Sequence, residues 1–400
     1  MSFTRREFLF SLIGLGATPA FPTLADAMSK GKTAIAARIF TGEGSLPLND
    51  HAVLIHQGLI ENIVPVDAIR DRPVLHFADS TILPGIINAH CHRIHAPGDR
   101  RKRWLKRGVT AVGDVGSPME AMPLLAESPP STTATARFTG PMLTPPGGYP
   151  LPVHDHKYAL IVNSPPEARE AVTMLAGQGA TMIKISFEPG PLPEPWPVFD
   201  ARTAATICNT ARKLGLTVRC HVEDFSGLEP ALNAGVHSIE HVPHRWHTHG
   251  QIRSILTEDK QPIAQYISLL ERMKQEDIVL TPTLDVLSRS PWQGAALFEP
   301  VRTFHAMGGR IAVGNDYPYR RTDAGMPSRE MRLLCKAGMS PLDVMRAATQ
   351  GSAAACGFTD RGRLLPGMVA DMIVTQGNPA LSLECLNSPL QVIKDGEFIE

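Results

Sequence analysis

The most informative string in the sequence is Leu83-Pro84-Gly85-Ile86-Ile87-Asn88-Ala89-His90-Cys91-His92. Along a β-strand, side chains at i and i+2 share a face, so His90 and His92 project together while Cys91 turns away. Two imidazoles on one side of a strand end can grip one metal ion. Geometry excludes Cys91 as a third ligand beside them. A lone His-x-His is structural or incidental in most proteins, and it gains weight here from ligand-type residues at the ends of later apolar segments. Met182-Ile183-Lys184-Ile185 sets a lysine inside an apolar strand, Arg219-Cys220-His221 ends another, Ser238-Ile239-Glu240-His241 the next, and Ala312-Val313-Gly314-Asn315-Asp316 the last. A buried lysine costs several kcal/mol in desolvation or gives up its proton. Lys184 therefore needs a reason, and the ordinary one is an inward ion pair with Asp316. A core histidine satisfied by a backbone carbonyl is likewise the ordinary account of His221 or His241 taken singly. Their joint occurrence at successive strand ends makes coincidence a poor explanation.

Such residues need a scaffold that brings many strand ends together. Between about Ile82 and Gly357, short apolar segments alternate with longer helical stretches. The strand candidates are Gly85 to His92, Thr110 to Asp114, Ala136 to Leu143, Met182 to Phe187, Thr217 to His221, Ser238 to Val242, Ile278 to Thr281 and Arg310 to Gly314. Eight is the number that closes a (β/α)8 TIM barrel, whose usual length of about 250 residues matches the segment. Ser164-Pro165-Pro166-Glu167 and Ser340-Pro341-Leu342-Asp343 each put a capping serine before proline with an acid three residues on, which marks helix starts. Proline-rich stretches at Pro141 to Pro152 and Pro189 to Pro197 follow strands three and four, where loops face the active end of a barrel.

The two chain ends read differently. Ala34 to Phe40, Ala52 to His56 and Ile60 to Val64 are short strands joined by tight turns, and Asp371 to Thr375, Gln391 to Lys394 and Glu397 to Ile399 repeat the pattern with an Asp395-Gly396 hairpin turn. Neither piece can bury a core alone, so the economical arrangement is an α/β fold in which residues 33–80 and 364–400 form one small composite β-sandwich flanking a barrel over 81–363.

The chain has 400 residues, 39 basic against 39 acidic side chains and 43% hydrophobic residues. That balance excludes a disordered charged-tail protein and gives no electrostatic reason to expect nucleic acid. The basic run Arg100 to Arg103 with Lys106 and Arg107 reads as a solvated helix face. Six scattered cysteines with no CxxC pair form neither a disulfide scaffold nor a zinc knuckle. Cys91 and Cys220, on opposite sides of a barrel, are not expected to pair. At the N-terminus, Arg5-Arg6 precede an apolar run from Phe8 to about Phe21 and then Ala25-Asp26-Ala27. The run is too short and too rich in Gly and Pro for a membrane anchor. Residues 1–27 instead resemble a twin-arginine signal peptide, which implies export, a periplasmic location and the twin-arginine machinery as a partner.

Taken together, these strings resemble the amidohydrolase superfamily, within its imidazolonepropionase-like and prolidase-like branch. The resemblance runs from about Ala34 to the C-terminus. Besides the His90-Cys91-His92 string it is carried by Gly108-Val109-Thr110-Ala111-Val112-Gly113-Asp114, Ser238-Ile239-Glu240-His241, Ala337-Gly338-Met339-Ser340-Pro341 and Leu365-Pro366-Gly367-Met368-Val369-Ala370-Asp371. It implies two divalent cations, one held by His90, His92 and Asp316 and the other by His221 and His241, with Lys184 as an N-carboxylated lysine bridging both. A hydroxide between the metals would attack the substrate carbonyl, and Asp316, as the catalytic residue, would orient it and pass its proton to the leaving nitrogen. Zinc is the favoured metal for such His and oxygen ligands. Glu223 stands where some relatives carry a substrate-binding tyrosine or histidine, which leaves that contact in doubt. Tyr317 and Arg320, just past Asp316, are further substrate-binding candidates, Arg320 as a partner for a carboxylate, although a solvated loop would explain that arginine as well. His95, His244, His247 and His249 stay outside the metal set.

The expected activity is hydrolysis of an amide-like C–N bond in a dipeptide, an N-acyl amino acid or a cyclic amide. Lactone or phosphoester hydrolysis at the same site is the first alternative, and a metal-free binding protein on the same fold the second. Besides the small-molecule substrate, copies of the chain itself are an expected partner.

Overall fold

The computed structural model describes residues 32–43, 47–95, 100–127, 130–190, 194–248, 251–290 and 294–400. The export-signal reading of residues 1–27 lies outside them. Among the described residues no helix is long and apolar enough to cross a membrane.

Both chain ends build one sheet. Strands β1 (Lys32–Ile39), β2 (Leu48–His56), β3 (Leu59–Pro65) and β4 (Val74–Pro84) come from the start of the chain, and β16 (Met372–Gln376), β17 (Gln391–Lys394) and β18 (Glu397–Ile399) from its end. Their order is β18-β17-β16-β4-β1-β2-β3. Strand alternation explains the two faces of β1. Ile35 and Ile39 enter a core with Val53, Ile55, Ile60, Ile82, Met372 and Val374, while Ala34 and Ala36 meet Ala52 on the other side. In place of the expected two-layer sandwich, the strands of both chain ends join in a single seven-stranded sheet. At its far edge the Ile60 N–H donates to Met368 O and the Gly367 N–H to Ile60 O, both at 2.8 Å, which leaves that edge of β3 paired.

The intervening chain is α/β and barrel-like. Parallel strands β5 (Ile86–Cys91), β6 (Val109–Asp114) and β7 (Thr135–Phe138) form one arc. A second parallel arc holds β10 (Met182–Ser186), β11 (Thr217–His221), β12 (Ser238–Glu240) and β15 (Val279–Thr281). Two pairs stand apart, β8 (Met142–Thr144) with β9 (Ala159–Ile161), and β13 (His247–Thr248) with β14 (Gln251–Ile252). Two expected strands come out differently. Ala136 to Leu143 divides at Gly140, whose φ of 69° breaks the extended backbone. Arg310 to Gly314 joins no ladder and makes a single bridge between Leu280 and Ile311. That segment is nonetheless tied on both sides, because the Ala312 N–H donates to Leu280 O (2.9 Å) and the Ala89 N–H to Val313 O (2.7 Å). Between the arcs the Thr181 N–H donates to Phe138 O at 2.9 Å.

Helices cover the outside. Ser164 caps Pro165–Gly177 by accepting from the Glu167 N–H, and Ser340 caps Pro341–Arg346 by accepting from the Asp343 N–H, as their sequences predict. The helix Arg100–Lys106 buries Trp104 and Leu105 and leaves Lys102, Arg103 and Lys106 in solvent. All six cysteines are free thiols, with Cys91, Cys208, Cys220 and Cys356 buried.

Candidate metal centre

Six residues from five segments of the barrel-like part meet in one cavity of about 290 Å³: His90, His92, Lys184, His221, His241 and Asp316. One donor atom from each of His90, His92 and Asp316 lies within 4.8 Å of the others, and the same holds for His221, Glu223 and His241. The imidazoles connect the two groups, with ring centroids 5.4 Å apart for His92 and His90, 4.8 Å for His90 and His241, and 4.4 Å for His241 and His221. Asp316 Oδ1 stands 3.2 Å from His92 Nε2 and 3.4 Å from His90 Nε2.

Backbone geometry brings these side chains inward. Lys184 and Arg219 are register partners in β10 and β11, as are Ser186 and His221, so strand alternation aims Lys184 and His221 at the same interior. His241 follows directly on Glu240, and an extended chain would send the two to opposite faces. A φ of 71° at His241 turns its imidazole back into the cavity, and a φ of 57° does the same for Asp316 after Asn315. Gly314 is required by close approach, since a Cβ there would lie 2.4 Å from His90 Cβ.

A second layer of polar contacts fixes the imidazoles. His90 Nδ1 meets Glu240 Oε2 at 2.6 Å, which turns Nε2 toward Asp316. Glu240 is gripped in turn by Arg219 Nε (2.6 Å) and Nη2 (2.8 Å) and by Ser238 Oγ (2.6 Å). His241 Nδ1 meets Thr283 Oγ1 at 2.7 Å, and His92 Nδ1 stands 3.4 Å from Gly116 O. Asp114 shapes that loop by accepting from the Ile94 and Gly116 N–H groups and from Ser117 Oγ. Glu240, Arg219 and Thr283 had no role assigned from sequence. The Ser-Ile-Glu-His string holds the signal for Glu240, but alternation alone points it away from its neighbour.

Electrostatics follow burial and neighbours. Burial lowers Lys184 to about 8, with Glu240 opposing and Arg219 assisting. Among the described residues its Nζ is buried without a hydrogen-bond partner, and the expected ion pair with Asp316 is not made. Burial, then neighbouring cationic groups, push His221 and His241 well below the usual imidazole range. Burial opposes charge on Asp316, yet His90 and His92 hold its carboxyl well below the usual carboxylate range. Arg219 does the same for Glu240 against a similar burial cost. Burial pushes the Glu223 carboxyl up to about 7, offset in part by Arg245.

At the cavity mouth stand Tyr149, His154, Tyr158, Tyr319, Arg245 and Arg320, together with His244. Tyr149 stacks on His221 at 4.2 Å and its hydroxyl meets His154 Nε2 at 3.3 Å, which places the loop after β8 at the site as its proline content suggests. Glu223 and Arg320 lie in the lining. Tyr317 does not. Its carbonyl accepts from the His92 N–H at 2.7 Å while its ring packs edge-on against Trp104 at 5.7 Å, so the aromatic group beside His92 is Tyr319 instead. His247 is engaged by Asp224 at 2.6 Å, and His249 lies outside the described residues.

The donor set suits divalent cations. Four imidazoles and a carboxylate converge, His90 and His241 already oriented through Nδ1, and an amine buried without a partner among the described residues lines the same space. Comparison with known proteins agrees. The model of the amidohydrolase family matches residues 147–399. An imidazolonepropionase of Salinispora tropica is 25% identical over 388 residues, covering 86% of this chain and 90% of the relative. Among solved structures, a Xaa-Pro dipeptidase with bound methionine in its active site superposes with a TM-score of 0.74 at 21% identity, covering 92% of this chain and 100% of the other. The ochratoxinase of A. niger gives 0.73 at 20% identity, covering 92% and 95%.

Proposed function

The chain belongs to the amidohydrolase family and is a hydrolase acting on carbon–nitrogen bonds, and from that premise we propose a two-cation mechanism on a small amide-like substrate. In this reading His90, His92 and Asp316 would hold one cation and His221 and His241 the other, with Lys184, as a carbamate, supplying an anionic ligand to the same centre. The observation that carries this reading is Lys184 itself, an amine 1% exposed with no hydrogen-bond partner among four converging imidazoles. Zinc is the cation best matched to these nitrogen and oxygen donors.

Two such cations supply Lewis acidity that polarises the scissile carbonyl and lowers the pKa of the attacking water. The side chains do the rest. With its pKa near 8, a fraction of Lys184 is neutral at neutral pH. The neutral nitrogen adds to carbon dioxide, forming an N–C bond and releasing one N–H proton to solvent, and the product is an anion with two oxygens. Asp316, held ionised by His90 and His92, accepts a proton from the attacking water and delivers it to the nitrogen that leaves as the C–N bond breaks. Glu240 and Thr283 keep the imidazoles aligned. Arg320 at the mouth offers a guanidinium to a substrate carboxylate, which favours a dipeptide or an N-acyl amino acid, with a cyclic amide also fitting the volume. Twin-arginine export belongs to the same proposal, because that route carries proteins already folded around their metals.

The test is metal analysis of the mature protein purified with bicarbonate, followed by a panel of amide, lactone and phosphoester substrates. About two ions per chain and a preference for amides are expected. In Lys184→Ala the metal content should fall and activity drop by a factor of about 10³ or more, with partial rescue by short carboxylic acids. Full activity in that variant removes the bridging role. Preferential lactone or phosphoester turnover reassigns the bond, and a wild-type protein that binds no metal makes the fold a binding scaffold.

A further inference from the structure

We infer that Glu223 is a third protein ligand of the cation held by His221 and His241, so that this half of the centre has its own carboxylate as the other half has Asp316. The inference rests on the two-cation reading above and adds a residue to it.

The first support is distance. Glu223 Oε1 stands 4.0 Å from His221 Nε2, within a three-residue set whose donor atoms all lie within 4.8 Å of one another. Two ligands bound to one zinc at tetrahedral geometry are about 3.4 Å apart. Small side-chain adjustments would therefore bring all three onto a single ion. The second support is how the carboxylate is held. Its other oxygen, Oε2, accepts from Arg245 Nη2 at 2.8 Å, and the N–H groups of Glu223 and Asp224 both donate to Glu188 Oε2 at 3.1 Å. The turn after β11 is thus pinned with Oε1 directed at the imidazole. Anchoring Arg245 does not by itself require this, because Arg245 Nη2 also reaches Glu188 Oε1 at 3.4 Å. The third support is independent of Glu223. Lys184 Nζ, buried and without a hydrogen-bond partner among the described residues, lines the same cavity, so the space between these groups calls for a ligand that no described side chain supplies. The spacing agrees as well, since His221-Val222-Glu223 places two donors at i and i+2 as His90-Cys91-His92 does.

The experiment is zinc competition against a chromophoric chelator, with visible absorption of the cobalt-substituted enzyme, on the full mature chain. Wild type is compared with Glu223→Gln and with Glu223→Asp, which keeps a charge opposite Arg245 but withdraws the oxygen by one methylene. In both variants the weaker zinc site should lose at least about tenfold in affinity while the tighter site is unchanged, and the cobalt bands should shift with the lost ligand. Second-site affinity within about twofold of wild type in either folded variant, with an unchanged cobalt spectrum, overturns the role of Glu223 and leaves the two-cation reading standing. A wild-type enzyme that binds no second zinc overturns both.

Discussion

Lys184 in β10 and Lys394 in β17 are both buried in strands, at 1% and 0% exposure, and the fold treats them in opposite ways. Around Lys394 the terminal sheet supplies counter-charge. Its Nζ donates to Asp395 Oδ2 at 2.8 Å and to Asp371 Oδ1 at 3.2 Å, and Asp371 also takes Arg361 Nη1 at 2.6 Å and the Asp395 N–H at 2.9 Å. Around Lys184 there is no such shell. The carboxylate acting most strongly on it, Glu240, is already committed to Arg219, Ser238 and His90. A charge that belongs to the fold is thus neutralised by the fold, whereas the amine left without a partner lies in the candidate metal centre.

Removing each lysine should separate the two roles. Lys394→Met leaves Asp371 and Asp395 without their shared cation in the core of the sheet, and breaking a buried pair in this way costs about 3 to 5 kcal/mol. Arg361 still holds Asp371, which argues for the lower end. Denaturant unfolding should show that loss while zinc content in the folded protein stays at the wild-type value. Loss of metal with little loss of stability would erase the distinction between the two sites.

A somewhat smaller effect should appear at Lys184 in the metal-free protein, with the opposite sign. Its pKa falls from 10.5 unfolded to about 8 folded, so between those values the unfolded chain binds more protons. Stability then rises with pH across that window, and the penalty for the buried charge, fully present below about pH 8, is relieved as pH approaches 10.5. The shift corresponds to roughly 3 kcal/mol. Metal-free Lys184→Met should therefore exceed metal-free wild type by about that amount at pH 7, with the gap closing toward pH 10. A pH-independent gap would mean that Lys184 keeps the same pKa folded and unfolded, its charge being balanced in the folded chain.

This contrast could not be read from the sequence, although much of the site could. Alternation in apolar strands pointed to His90, His92, Lys184 and His221, because each lies on a strand or, for His92, directly after one, where the i, i+2 pattern settles its face. His241 and Asp316 share the cavity for a reason that alternation does not contain, the left-handed backbone at both positions. Tyr317, the candidate from sequence, packs against Trp104 and Tyr319 is the ring beside His92, in a turn where no period applies. Strand β4 went unread because Asp79 and Ser80 interrupt its apolar pattern; Asp79 has a φ of 50° and the pairing with β1 shifts register nearby. The partners of the buried lysines are long-range. Lys184 looks to Glu240, and Lys394 to Asp371 across the sheet, so only Asp395, its neighbour in sequence, was in view.

That neighbour offers the mildest test. Asp395 sits at φ 51° in the Asp-Gly turn between β17 and β18, a position that asparagine adopts as readily. Asp395→Asn should keep the turn and its N–H bond to Asp371 while removing one of the two charges on Lys394. Asp395 is about a quarter exposed and Asp371 remains, so the expected loss is only about 1 kcal/mol. It should show as a small drop in the unfolding midpoint with zinc binding unchanged. A loss as large as that of Lys394→Met would mean that the exposed carboxylate carries the pair alone. No loss would mean that Asp371 alone balances the lysine, which would make the contrast with the unpartnered Lys184 sharper still.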